Sequence, residues 1–231
     1  MKKIILTLAL LLMSPLAGES IYLRENLARG EAGDFIVTSQ NRNYTLFHVF
    51  SKSPDRLVIE EITIPSSRMP KGRYSWRGWV ESGAPQHTSW VIYRVNLDSG
   101  ELEEQYSFTN QQWCDVAKTD SFLSTLLNLR LEKVSPRKRK KVGRSTKIWN
   151  PQMVVDSRTI DGVQFDAWKT RWPQDRSELS GKTIEVFVPE ENEKYPSYFP
   201  YWLQISGVIG KAKVRIVDSG SGLQSPKQLA N

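Results

Sequence analysis

Residues 34–64, DFIVTSQNRNYTLFHVFSKSPDRLVIEEITI, decide the fold class. Asp34 to Thr38, Asn43 to Phe50 and Asp55 to Ile64 are each rich in β-branched and aromatic side chains, and the gaps hold Asn, Ser, Pro and Asp. Such runs read as strands, and gaps this short join antiparallel neighbours. Arg73 to Val80 and His87 to Leu97 continue the series, and Asp98-Ser99-Gly100 turns the chain into Glu101 to Phe108. In the His87 run, Val91, Tyr93, Val95 and Leu97 share one face and Arg94 and Asn96 the other, as in a sheet with one buried side.

At Asp120 the period changes. Phe122, Leu123, Leu126, Leu127 and Arg130 recur at helical spacing behind Thr119 or Asp120, either of which can cap an N-terminus. Strands resume at Gln152 to Val155, Val163 to Arg171, Lys182 to Val188, Tyr201 to Ser206 and Ala212 to Asp218, with Asp161-Gly162 as a hairpin turn between the first two. The tail 219–231, rich in Gly, Ser, Pro and Gln, is expected to fray. The expectation is a mainly β domain over residues 21–218, with ten to twelve antiparallel strands in a strongly curved half-barrel covered by one or more helices.

Composition agrees with this class and narrows function. The 231 residues are 39% hydrophobic and 25% charged, within globular averages, while 8 Trp, 8 Tyr and 8 Phe favour pleated, half-buried surfaces. With 1 Cys and 2 His the chain has little material for metal or thiol chemistry. His48 and His87 lie on separate strands without a third ligand, Gly181-Lys182-Thr183 lacks the first glycine of a phosphate loop, and no G-x-S-x-G elbow occurs. Asp175 with Glu178 could in principle serve as a carboxylate pair, but two carboxylates alone are no evidence of glycosidase chemistry. The protein is read as non-enzymatic, with no catalytic residue, metal or cofactor. The sequon Asn43-Tyr44-Thr45 is treated as chance.

Residues 1–20 read as a secretory signal: Lys2 and Lys3, an apolar run from Ile4 to Met13, then Ser14-Pro15-Leu16-Ala17-Gly18. These ten residues, apolar apart from Thr7, reach only about 15 Å as a helix, half of a bilayer core. Leu16-Ala17-Gly18-Glu19 resembles a lipoprotein cleavage box with Glu in place of the acceptor Cys, so no lipid can be attached there. The mature protein is expected in the periplasm, or else secreted. Cys114, the lone thiol, is expected to be buried.

Two features suggest partners. Arg137, Lys138, Arg139, Lys140 and Lys141 follow Pro136 as a dense basic run that should stand out in solvent as a loop tip and, with net charge +7, could meet an anionic membrane surface. Nucleic acid is not expected, because residues 136–148 offer no aromatic for base stacking. The eight indoles exceed what one core needs, so Trp76, Trp79, Trp90, Trp168, Trp172 and Trp202, with Phe122 and Leu126 from the helix, are the candidate lining of an apolar ligand site.

The stretch from Ile160-Asp161-Gly162-Val163 to Trp168, then Trp172-Pro173-Gln174-Asp175-Arg176-Ser177-Glu178-Leu179-Ser180-Gly181-Lys182 and Ile184-Glu185-Val186-Phe187, resembles uncharacterised exported bacterial proteins. These look like relatives of the periplasmic lipoprotein-carrier (LolA/LolB-like) superfamily. That resemblance implies a curved sheet around an acyl-chain cavity and, as partner, a lipid or an acylated protein. No functional residue of the carriers corresponds to a position here. The other reading of the same features is an envelope assembly or adhesion protein that uses a Trp-rich sheet and the basic loop as contact surfaces.

Overall fold

Gln40 and Asn43 pair across Asn41 and Arg42, whose φ values of 48° and 65° make the two-residue turn that suits the twist of a hairpin. This turn joins β2 (Phe35–Gln40) to β3 (Asn43–Lys52), and a second hairpin leads to β4 (Arg56–Pro65). The computed structural model describes residues 19–70, 75–117, 122–190, 195, 198–200, 202–206 and 211–229, with backbone alone at 202, 211 and 212. The expected signal segment therefore lies outside the described residues, apart from Glu19 and Ser20, as do the cap candidates Thr119 and Asp120.

Three further strands extend the sheet on one side: β5 (Ser89–Asn96), β6 (Leu102–Ser107) and β7 (Gln112–Asp115). On the other side stand β14 (Lys211–Gly220), β13 (Trp202–Ser206), β12 (Thr183–Pro189), β11 (Phe165–Arg171), β8 (Arg130–Lys133) and β1 (Ser20–Tyr22). The order β1-β8-β11-β12-β13-β14-β2-β3-β4-β5-β6-β7 is a single antiparallel sheet of twelve strands. It is open, with β1 and β7 as its edges, and is not strongly curled; the strongly curved half-barrel of the sequence reading is corrected accordingly. β9 (Met153–Val155) and β10 (Arg158–Ile160) form a separate hairpin.

Alternation gives the sheet two faces. The front carries Phe47, Glu61 and Val91 in cross-strand register, and the back carries His48, Glu60 and Ile92. Helices α1 (Leu23–Leu27) and α3 (Phe122–Asn128) contribute Leu23, Leu27, Leu126 and Leu127 to the main core in front. A second core lies behind β2–β4, where α2 (Trp76–Glu81) sets Trp79 and Val80 against Phe35, Leu46, Ile62 and Ile64.

The element α2 stands where a strand was expected from Arg73 to Val80, of which Arg73 and Tyr74 lie outside the described residues. Ser75 caps it, its Oγ accepting from Gly78 N at 3.0 Å, and Trp79 is fully buried with its indole N–H on Pro85 O at 3.1 Å. Two local terms, a cap and an anchored indole, outweigh the strand preference of Trp and Val.

The chain from Ser219, expected to fray, is instead held. Strand β14 runs to Gly220, whose Cβ position would fall 2.7 Å from the Phe35 ring, so only glycine fits there. Leu223 is buried, its N–H bonding Gly33 O at 2.9 Å. Beyond it Ser225 donates to Glu60 at 2.6 Å, and the Lys227 ammonium lies 4.5 Å from the Trp90 ring centroid and 4.9 Å from that of Phe108. The terminus is a strap across the back of β3 to β6.

Two other readings shift. Asp161-Gly162 links β10 to β11, and the hairpin turn is Asp156-Ser157, with φ values of 47° and 63°. Cys114 is half-buried and free, on the edge strand β7.

Candidate functional site

The front face over β3–β5 is not filled. Phe47, Glu61, Val91 and Tyr93 form the floor of a cleft of about 430 Å³. Its roof is α3, which brings Phe122, Leu123 and Leu126 over the sheet. Leu203, Val214, Ile216 and Phe199 close one end, with Phe199 stacked on Phe47 at 6.0 Å between centroids. Thr38, Gln40, Thr45 and Gln105 supply neutral polar groups at the margin. A cleft of this size, apolar with a few convergent polar groups, is the usual form of a small-molecule site.

The roof is fixed from both sides. Ser124 Oγ accepts from Leu102 N at 2.9 Å, and Asn128 Oδ1 accepts from Arg24 at 2.6 Å, tying α3 to β6 and to α1. At its start Phe122, 48% exposed, stacks on Trp172 at 5.4 Å. Trp172 is itself held by the loop between β11 and β12. Its indole N–H donates to Asp175 at 2.7 Å, while Asp175 also accepts from Ser177 N and Oγ and so keeps its carboxyl below the usual range. The Trp172–Lys182 stretch singled out in the sequence is thus a self-bonded loop whose indole braces the roof.

Among the described residues, Glu61 is the one acidic side chain in the lining. Its cross-strand neighbours are Phe47 and Val91, and Tyr93 Oη donates to it at 3.4 Å. Burial raises its carboxyl above the ordinary value, opposed by the Tyr93 bond. The Tyr93 phenol is in turn pushed well up, first by its own burial and then by the Glu61 charge. Sequence reasoning passed over Glu61. The signal was the pair Glu60-Glu61 within a strand, since adjacent residues face opposite ways and here both faces are covered.

Of the residues expected to line a ligand site, the structure brings Phe122 and Leu126 to the cleft. Trp76, Trp79 and Trp90 belong to the back core, where Trp76 packs edge-on to both Trp79 and Tyr44. Trp168 and Trp172 are buried in the main core, outside the cleft lining. The Trp202 side chain lies outside the described residues.

The back holds a buried polar cluster. His48 Nδ1 stands 2.8 Å from Glu60 Oε2 and its Nε2 donates to Leu223 O at 3.1 Å, while Glu60 Oε1 accepts from Trp90 Nε1 at 2.7 Å and from Ser225. Every polar atom of the pair is occupied, which suits a structural lock better than a reacting group.

The basic run is only partly the free tip expected. Arg137, Lys138, Lys140 and Lys141 are exposed, but Arg139 is half-buried, its guanidinium 5.8 Å from the Phe187 ring and bonded to Asn150 at 2.6 Å. Lys140 lies over Trp149, which meets Phe187 edge-on. Among the described residues no group of His, Cys, Asp and Glu is placed to hold a metal, and no helix is long and apolar enough to cross a membrane.

The model of the CT021 protein family matches residues 45–161, half of the chain. A solved structure described as the hypothetical protein CT021 from Chlamydia trachomatis, at 2.0 Å, superposes with a TM-score of 0.65 at 18% identity, covering 92% of this chain and 97% of that one. At that identity the likeness is one of fold. No curated protein matches. The resemblance to lipoprotein carriers is not among these matches.

Proposed function

The chain belongs to the CT021 protein family, and for it we propose a non-catalytic binding protein of the bacterial envelope that holds an apolar ligand, a lipid or the acyl chain of a lipoprotein, beneath α3. The observation that carries this reading is the cleft of about 430 Å³ between α3 and the sheet, within the 300–1,000 Å³ or so typical of ligand sites. Its occupant is set by the walls: Phe47, Val91, Leu123, Leu126, Leu203 and Ile216 reward an apolar chain, at about 0.8 kcal/mol per methylene buried. The ligand residues of this proposal are therefore these and Phe122, in place of the indoles. Export to the periplasm rests on the signal-like residues 1–20.

Native mass spectrometry of the purified protein, with titration of a fluorescent acyl probe, tests this. Saturable binding that is lost in Val91→Trp, which fills the floor of the cleft, is the expected result. Probe binding unchanged by that substitution would refute the site. The envelope-assembly reading draws on a different observation, the exposed cations Arg137, Lys138, Lys140 and Lys141. It gains if purified protein carries no lipid, and if binding to anionic vesicles disappears when the four are neutralised.

A further inference from the structure

We propose that the cleft discriminates by head group, accepting an apolar chain whose polar end donates hydrogen bonds, a long-chain amine above all, and refusing one that ends in a carboxylate, with Glu61 as the acceptor. This rests on the reading of the cleft as an apolar-ligand site and names the class of its occupant.

Among the described residues the lining contains no Lys, Arg or His. Carriers of acyl anions need a cation for the head group, because an ion in an apolar site is tolerated only when paired. Here the fixed charge has the opposite sign. Glu61 projects from the middle of β4 between the apolar side chains Phe47 and Val91, and no cation among the described residues shifts its carboxyl. Its one hydrogen bond among the described residues, from Tyr93 Oη at 3.4 Å, is long for an O–H···O contact, where about 2.8 Å is usual, so acceptor capacity remains. A carboxylate ligand would set two like charges in a site of low dielectric. An ammonium would satisfy the acceptor, and its charge would offset the burial that now holds the Glu61 carboxyl high.

The titratable groups of the lining are, among the described residues, Glu61 and Tyr93. The elements packed against Glu61 offer Phe47 and Thr45 from β3, Val91 from β5, Gln105 from β6, and Phe122, Leu123 and Leu126 from α3, none of which titrates. Selection for the amine should therefore follow one group, and fade as pH falls through the raised Glu61 value.

Displacement of a neutral naphthylamine probe from the full chain by dodecylamine, dodecanol and dodecanoate, each below its micellar range at about pH 7, tests this. Dodecylamine should displace at a concentration at least tenfold lower than dodecanoate, about 1.4 kcal/mol. In Glu61→Gln the two should converge to within about threefold, with dodecanol unchanged as the measure of an intact cleft. Dodecanoate binding as tightly as dodecylamine to the wild type, or the preference surviving in Glu61→Gln, overturns the proposal while the apolar site stands. Failure of all three chains, and of the probe, overturns the apolar site and the head-group rule together.

Discussion

Behind β2–β5 the sheet meets the buried Trp79 under α2 and a terminal strap pinned to the His48–Glu60 pair. In front of the same strands Phe47, Glu61, Val91 and Tyr93 look into a cleft. Both sides use aromatic residues and one glutamate from adjacent positions of β4. They differ in closure: Glu60 has partners for both oxygens, from His48, Trp90 and Ser225, whereas Glu61 has the long contact from Tyr93. Neighbouring residues of one strand thus stand one in a closed lock and one in an open cleft, and the difference lies in what the rest of the chain lays over each face.

The back should be the more fragile. Trp79→Ala should lose about 3–5 kcal/mol in chemical denaturation, the cost of an uncollapsed indole-sized hole. Leu123→Ala, at the rim of an existing cavity, should lose about 1–2 kcal/mol. Equal losses would erase the contrast between a packed face and a hollow one.

Next in size is the strap. Ending the chain at Gly220 removes Leu223 and Ser225 and leaves His48 and Glu60 short of partners, for an expected loss of about 3 kcal/mol. Combining the truncation with Glu60→Gln should cost less than the sum, because both break one network. Additive losses would mean that the strap and the pair are independent.

Glu61 sharpens the comparison through pH. Its folded carboxyl is raised, so as pH climbs from the ordinary glutamate range through the raised value the unfolded chain gives up its proton first, and stability falls across that window. Glu61→Gln should abolish this fall and be the more stable protein at neutral pH. Denaturation midpoints across mildly acidic to neutral pH check it, and a variant less stable at neutral pH would show the carboxylate to be well paired. The smallest effect belongs to the basic run: neutralising Arg137, Lys138, Lys140 and Lys141 should change stability by no more than about 0.5 kcal/mol each, while Arg139→Ala, which strips a side chain from Phe187, should exceed that.

Strands β2 to β6 were legible because their alternation and turn residues agree with the sheet that forms. Where local and tertiary preferences conflict the sequence misled. Trp76 to Val80 has the composition of a strand, and the Ser75 cap and the burial of Trp79 make it a helix. The terminus has the composition of a loose tail, and one apolar residue, Leu223, finds a pocket beside Gly33 and His48. Asp161-Gly162 carries the stronger turn signature, yet Asp156-Ser157 makes the hairpin, its position fixed by Asp218, which accepts from Ser157 N and Oγ at 2.9 and 3.0 Å. The helical roof over Phe122 to Leu127 was readable from its period, and with it the place of Phe122 and Leu126 in the cleft lining. The indoles were not, because aromatic count says how much flat surface exists and not which face or which core receives it.

Hollow front and filled back are separated most directly by xenon, which enters dry apolar cavities and shifts the methyl groups that line them. In methyl-resolved NMR under xenon pressure, Val91, Leu123, Leu126, Leu203, Val214 and Ile216 should shift saturably, and Leu46, Ile62, Ile64 and Val80 should stay in place. Shifts confined to the second set, or absent from both, would contradict an apolar site beneath α3.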